Sequence, residues 1–438
     1  MINQWAFITR LDAADTDELR RLVIRPTDEE EKLLRTYLGN DRYQRLRSLA
    51  LRLDVTRRTR SKLKGNVVII PELLGSELTS TDDNDNKERI WLSPLQIVAG
   101  QLDRLQLDPE GRTQANPKYE IRATGIMKRY YGELILALAE KWNVHAFWYD
   151  WRKDLKLAAA DLQARLNHWF AEQDPVHIVA HGTGGLIARA FIKMYPERWN
   201  VADERGRQAR LIMLGTPNHG VYSAAQAITG QLSIIQWVNL LDVQHNNVDF
   251  RAIATSFPSL YQLLPSPFYE ADLEQRKELE RLYDVKSYAP DAKISPEHLK
   301  NAYEFHKLLD GVVEPERMVS IAGYNHPTFA GVKIEALRYA LPPDTLNLYD
   351  IDSPPPDVMR YYDIGADGDG TSPWQRTILR KGDQQVPSLY INDGHGNLQA
   401  NRKVLDALDE LLEQTLDDET LDKISQESGL ERNAPMLS

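Results

Sequence analysis

Three positions in this chain have the residue types and the order to do acyl chemistry, and one of them lacks its reactive atom. Residues 176–192 read VHIVAHGTGGLIARAFI: an apolar run, a glycine-rich turn and then a helical pattern. A strand, a turn of the form small-x-nucleophile-x-Gly and a helix is how a serine is raised above a sheet. The turn is so sharp that the nucleophile adopts a strained backbone and its neighbours two residues away must be small. The frame here is Ala180-His181-Gly182-Thr183-Gly184, so the apex is Gly182. Glycine has no Cβ to clash, and the turn survives while the nucleophilic oxygen is lost. The chain order for this arrangement is nucleophile, acid, histidine. Asp369 follows in the glycine-rich stretch GADGDGTSPW (365–374), and His395 follows in INDGHGNLQ (391–399). Thr183 is no substitute nucleophile, because it stands one residue past the apex and its hydroxyl points away from the histidine.

Positioning such residues requires a sheet, and the pattern supplies one from Gly65 onward. Apolar runs of strand length, NVVII (66–70), NVHAFWYDW (143–151) and VHIVA (176–180), alternate with the helical stretches 130–142 and 157–173. ARLIMLGTPNHG (209–220) adds a further strand and loop. Strands alternating with helices imply a mostly parallel central sheet covered by helices on both faces, an α/β fold. The expected organisation is a charged helical extension (1–64), a first part of the α/β core (65–220) and a helical cap insertion (221–315). The second part of the core (316–416) and an acidic, frayed C-terminal tail (417–438) complete it. The cap expectation rests on the apolar stretch AITGQLSIIQWVNLLDV (227–243), inserted after a sheet strand, where loops build α/β sites. RMVSIAGYN (317–325) and PSLYIN (387–392) resume the sheet, and 398–416 reads as the closing helix.

Composition narrows the function classes. The 438 residues are 42% hydrophobic and 27% charged, an ordinary globular balance with enough chain for a sizeable core. No apolar run approaches the roughly 20 residues that span a bilayer, and the first residues lack a long apolar stretch, which predicts a cytoplasmic protein. The absence of cysteine excludes thiolate chemistry and disulfides. A net charge of −11 argues against nucleic acid as a partner. Against that balance, residues 42–64 contain nine Lys or Arg, with Leu46, Leu49 and Leu53 at helical spacing. That arm reads as an amphipathic helix docked on the body, with an anionic membrane surface as the alternative partner of its basic face. Asp82, Asp83 and Asp85 lack the alternation and terminal glutamate of a calcium loop and read as a solvated turn. Neither a metal nor a cofactor is expected.

Nine segments in order, from VVIIPELLGSEL (67–78), IWLSP (90–94) and YDWR (149–152) through HIVAHGTGGLIAR (177–189) and LIMLGTPNHG (211–220), carry a family resemblance. FPSLYQLLP (257–265), SIAGYNHPT (320–328), GDGTSP (368–373) and GHGN (394–397) complete the set. Together they resemble the lecithin:cholesterol acyltransferase family of α/β-hydrolases, over roughly residues 66–412. The resemblance implies a serine at position 182, Asp369 and His395 as acid and base, and lipid acyl esters as substrates. It also implies an oxyanion hole from the backbone N–H groups of Leu73 and Thr183. Two positions depart from it: Gly182, and Glu72, where the family carries glycine. A carboxylate at 72 would repel a developing oxyanion unless it points away or burial neutralises it.

Four functional readings stay open on the sequence. The chain is a lipid ester hydrolase or acyltransferase scaffold with its serine chemistry off. It is a natural pseudoenzyme that binds a lipid or protein partner, or an active lipid esterase whose serine was replaced. Alternatively, His395 and Asp369 act on water directly in the space the serine vacated.

Overall fold

The computed structural model describes residues 4–59, 62–91, 101–229, 247–269, 273–288, 292–336 and 357–435. Six strands form the central sheet: β1 (Asn66–Ile70), β2 (Asn143–Ala146), β3 (Val176–His181), β4 (Leu211–Leu214), β5 (Met318–Tyr324) and β6 (Ser388–Asn392). Their spatial order is β6-β5-β4-β3-β1-β2, and every pairing is parallel. The strands are short, nearly unbroken apolar runs because both faces of a parallel sheet are covered. In β1, Val67 and Ile69 join one core while Val68 and Ile70 join the other, as the alternation of strand side chains requires.

The first face is covered by α5 (Lys128–Ala139), α9 (Arg402–Glu413) and an N-terminal set: α1 (Gln4–Ala13), α2 (Thr16–Ile24), α3 (Asp28–Leu38) and α4 (Asn40–Thr59). The leucines read as one face of α4 point inward, with Leu46, Leu49 and Leu53 all buried in the core that contains Val67 and Ile69. The flank of that face is tied to the body by ion pairs, Arg45 to Glu133 at 2.9 Å and Arg52 to Glu140 at 3.0 Å. Arg57 pairs with Asp17, and Lys64, just beyond the helix, pairs with Asp409 and Glu413. Much of the basic run is thereby matched to acids of the same chain.

The second face is covered by α6 (Leu155–Trp169), α7 (Thr183–Met194) and α8 (Pro296–Leu309). A small antiparallel sheet, Lys87–Trp91 with Ser76–Asp82 with Tyr119–Ile126, follows β1 and was not legible as such in the sequence. The strand expected over 143–151 ends at Ala146. The C-terminal residues, expected to fray, instead form α10 (Asp418–Ser428), with Leu421 and Ile424 buried and Asp417 capping its first turn. Leu421 and Ile424 stand at i and i+3, an apolar stripe that the acidic composition obscured. Most of the apolar stretch 227–243 lies outside the described residues; its Ile228 ends a short buried helix, Ser223–Ile228. Among the described residues no helix is long and apolar enough to cross a membrane.

Candidate active site

The sheet register brings the two unusual positions together. Ile70 of β1 pairs with Ala180 of β3, so Glu72 and Gly182 each lie two residues beyond a matched pair, side by side at the C-terminal edge. Ligand sites of open α/β sheets lie at this edge. His395 follows β6, and Asp369 follows the strand Asp357–Gly368 and bridges to His326 just after β5.

The turn at 182 is a tight elbow. Gly182 has φ 52° and ψ −124°, left-handed backbone that favours glycine, and it starts α7 directly. Its N–H donates to Leu214 O at 2.9 Å, which fixes the apex over β4. The helix must then pass close to the sheet: a Cβ added at Gly185 would lie 2.1 Å from Thr216 Oγ1.

Asp369 and His395, assigned as acid and base by order alone, are in direct contact. His395 Nδ1 donates to Asp369 Oδ2 at 2.7 Å, and Asp369 Oδ1 accepts from the N–H groups of Thr371 and Ser372. The other ring nitrogen does not face an open position. His395 Nε2 donates to Glu72 Oε2 at 2.7 Å, so the imidazole is clamped between two carboxylates. Two ionised acceptors require both ring nitrogens to carry protons, and the histidine is an imidazolium. Burial alone would lower its pKa, but Asp369 and Glu72 together push it well above the ordinary histidine value. Burial likewise raises Glu72 and Asp369, and in each case the charge and hydrogen bond of His395 win, holding both carboxyls below their usual range.

Glu72 therefore acts first on His395, an effect the sequence reading did not include. Its main partner is the histidine rather than a developing oxyanion, and it occupies the space a nucleophile would need. A Cβ built on Gly182 would lie 2.7 Å from Glu72 Cβ, 2.8 Å from Glu72 Oε2 and 3.0 Å from His395 Nε2. Leu73 and Thr183 flank this point, and among the described residues neither N–H has an acceptor. Leu74 holds φ 68° in the turn that Gly75 N–H closes on Glu72 O.

Two residues that the sequence reading missed hold Glu72 and His395 in place. The Glu72 N–H donates to the Tyr131 hydroxyl at 2.9 Å, and Tyr131 lies 2.9 Å from His181 Nδ1. His181 Nε2 in turn lies 3.0 Å from His395 O. The assignment that satisfies all three bonds has Tyr131 donating to Nδ1 and His181 Nε2–H donating to the carbonyl. Burial and the neighbouring His395 charge lower the His181 pKa to about 4, so its ring is neutral. The position of His181 beside the apex was a usable signal; Tyr131, inside a helical run, offered none. Glu72, His181 and His395 bring three ligand atoms within 4.8 Å of one another. Every ring nitrogen of the two histidines is already committed to a protein partner, so this set does not suit a metal as it stands.

The chain is similar in structure to a chain of the Tle4–Tli4 complex, with a TM-score of 0.50 and 12% identity over 83% of this chain and 99% of that one. Fainter likenesses are to the Bacillus licheniformis lipase BlEst2 (TM-score 0.26, 14% identity, 62% of this chain, 69% of that one) and to EstA from Clostridium botulinum (TM-score 0.31, 12% identity, 86% and 91%). No protein family matches the sequence, and a comparison with the curated proteins found no match. The parallel sheet, the elbow after β3 and the acid and histidine at the same edge make this an α/β-hydrolase fold.

Proposed function

We propose that this chain is an α/β-hydrolase scaffold of the lipid acyl-ester type whose serine chemistry is closed, and that it binds an acyl ester or a protein partner without turnover. One observation carries the reading: Glu72 Oε2 lies 2.7 Å from His395 Nε2, beside an apex that has no side chain. In a serine hydrolase the neutral histidine takes the proton of the attacking hydroxyl. Here that nitrogen already holds a proton and donates it to a carboxylate, so neither nucleophile nor base is present. The negative charge of Glu72 also opposes the charge that an acyl carbonyl develops on attack.

The lipid ester class is supported by the family resemblance of the nine segments. The pairing of Glu72 with Gly182 supports an evolved closed site over the simple replacement of one serine. A Cβ at 182 would lie 2.7 Å from Glu72 Cβ and force one of them to shift, so the two residues suit each other. A second reading, hydrolysis through water by His395 and Asp369, draws support from the 31% exposure of the Glu72 side chain, which gives it a way out of the site.

The test compares the wild-type chain with His395→Ala, Gly182→Ser and the double variant Glu72→Gly/Gly182→Ser on short and long acyl esters. The closed-site reading expects wild type to match His395→Ala and the double variant alone to gain substantial activity. Ester hydrolysis by wild type that His395→Ala abolishes would overturn it in favour of the water mechanism.

A further inference from the structure

A second candidate site lies around Arg189, further along α7 from the elbow. Arg189, on that helix, is 2% exposed and lines a cavity of about 360 Å³, within the range of small-molecule sites. Its Nη1 donates to Asn218 O and Oδ1 at 3.1 and 3.3 Å, and its Nη2 donates to Leu309 O at 2.8 Å. All three acceptors are neutral. Among the described residues no carboxylate lies within ion-pair distance of this guanidinium, and its Nε has no partner. A buried charge without a counterion is strongly unfavourable, and proteins normally pair it. Burial lowers the Arg189 pKa to about 10 against the opposing charge of Asp310, which acts on it without a hydrogen bond, and this leaves it charged at neutral pH.

The rest of the cavity adds positive charge. Arg380 and Lys381 stand exposed at its rim on a two-residue strand, and Asp310, also exposed, is the one acid of the lining among the described residues. The histidines in the wall are neutral: burial, then the charge of Arg189, holds His219 well below its ordinary value and His306 at about 3. Among the described residues, three cations against one carboxylate leave a surplus of two positive charges. One wall is a stack, with the His219 and Tyr269 rings 3.6 Å apart and Arg380 Cζ 5.1 Å from the Tyr269 ring.

We propose that this cavity binds a phosphate monoester, a dianion that matches the two-charge surplus and gives Arg189 a hydrogen-bonded anionic partner. The shared chemistry is the phosphate group, carried either by a small soluble ester or by a lipid headgroup, and the depth of Arg189 favours the small ester. Calorimetric titration of the full chain with inorganic phosphate, against chloride at equal ionic strength, should give saturable binding. Glycerol 3-phosphate should bind likewise, and phosphatidic acid vesicles should not. Arg380→Gln/Lys381→Gln, two surface changes that leave the core intact, should weaken phosphate binding by roughly tenfold or more. Arg189→Lys should weaken it further if that variant folds. Absence of saturable phosphate binding overturns the proposal, as does unchanged affinity in the Arg380→Gln/Lys381→Gln chain. Binding to the vesicles but to neither soluble probe overturns the assignment to a small ester.

Discussion

Two of the clusters that place two carboxylates around one cation, Arg89 and His395, differ in whether that cation can let go of its proton. Near the N-terminal helices, Arg89 Nη1 lies 2.9 Å from Asp12 Oδ2 and 3.2 Å from Glu77 Oε2, with all three side chains at 2% exposure or less. At the sheet edge, His395 lies 2.7 Å from both Glu72 and Asp369, and Glu72 is 31% exposed. The guanidinium of Arg89 is always charged, so its cluster is a permanent joint between α1 and the antiparallel sheet. Burial raises Glu77, and Arg89 acts against that effect; Lys128 beside it, lowered by burial to about 8, donates to Asp12 O. The imidazolium of His395 can titrate, and its outer carboxylate borders solvent. The same charge pattern thus makes a fixed joint in one place and a conditional closure in the other.

The largest expected effect breaks the conditional closure. Glu72→Gly/Gly182→Ser should raise acyl-ester hydrolysis by about 10³-fold or more over wild type, the order that a working nucleophile contributes in triad enzymes. Gly182→Ser alone should remain near wild type, because its Cβ meets Glu72; a large gain from the single variant would show that Glu72 is no obstacle. Next comes the fixed joint. Arg89→Met strands two buried carboxylates and should cost about 3–5 kcal/mol in urea unfolding. His395→Gln, which leaves one of its two carboxylates near solvent, should cost less, about 1–3 kcal/mol. A reversed order of these two losses would sink the distinction.

A subtler change sharpens it. Because the folded-state pKa of His395 is raised, its stabilisation is fully present below the ordinary histidine value of about 6.5 and is lost as pH rises through the folded value. Glu72 and Asp369, both lowered, contribute above their ordinary values and lose that contribution as pH falls through their folded ones. Glu72→Gln should lower the His395 pKa, read from its imidazole NMR signals, and move the alkaline loss of stability to lower pH. An unmoved His395 titration would mean that Asp369 alone sets it. The smallest effect belongs to the exposed pairs of α4: Arg52→Gln should change stability by less than about 1 kcal/mol, and salt should erase the difference.

The sheet, the elbow and the Asp369–His395 contact were legible because each follows from local pattern: apolar strand runs, a small-x-x-x-small turn and chain order. The role of Glu72 was not. Its sequence neighbours mark it only as a departure in a loop, and its partner is set by the β1–β3 register, which sequence spacing does not reveal. Tyr131 was hidden for the same reason, since its helix reads as ordinary core. The small antiparallel sheet was missed because its strands are polar and broken by loops. In α10 the charge of the segment outweighed the two apolar residues that dock it.

The register pair Ile70–Ala180 has a consequence for how this sequence can change. It makes positions 72 and 182, remote in the chain, competitors for a single residue's volume, so neither can be exchanged independently of the other. Serine at 182 with glutamate at 72 is crowded, while glycine at both leaves His395 facing an empty space. Any single-substitution path from Glu72 with Gly182 to glycine at 72 with serine at 182 passes through one of these two intermediates, which couples the two positions in how the sequence can change.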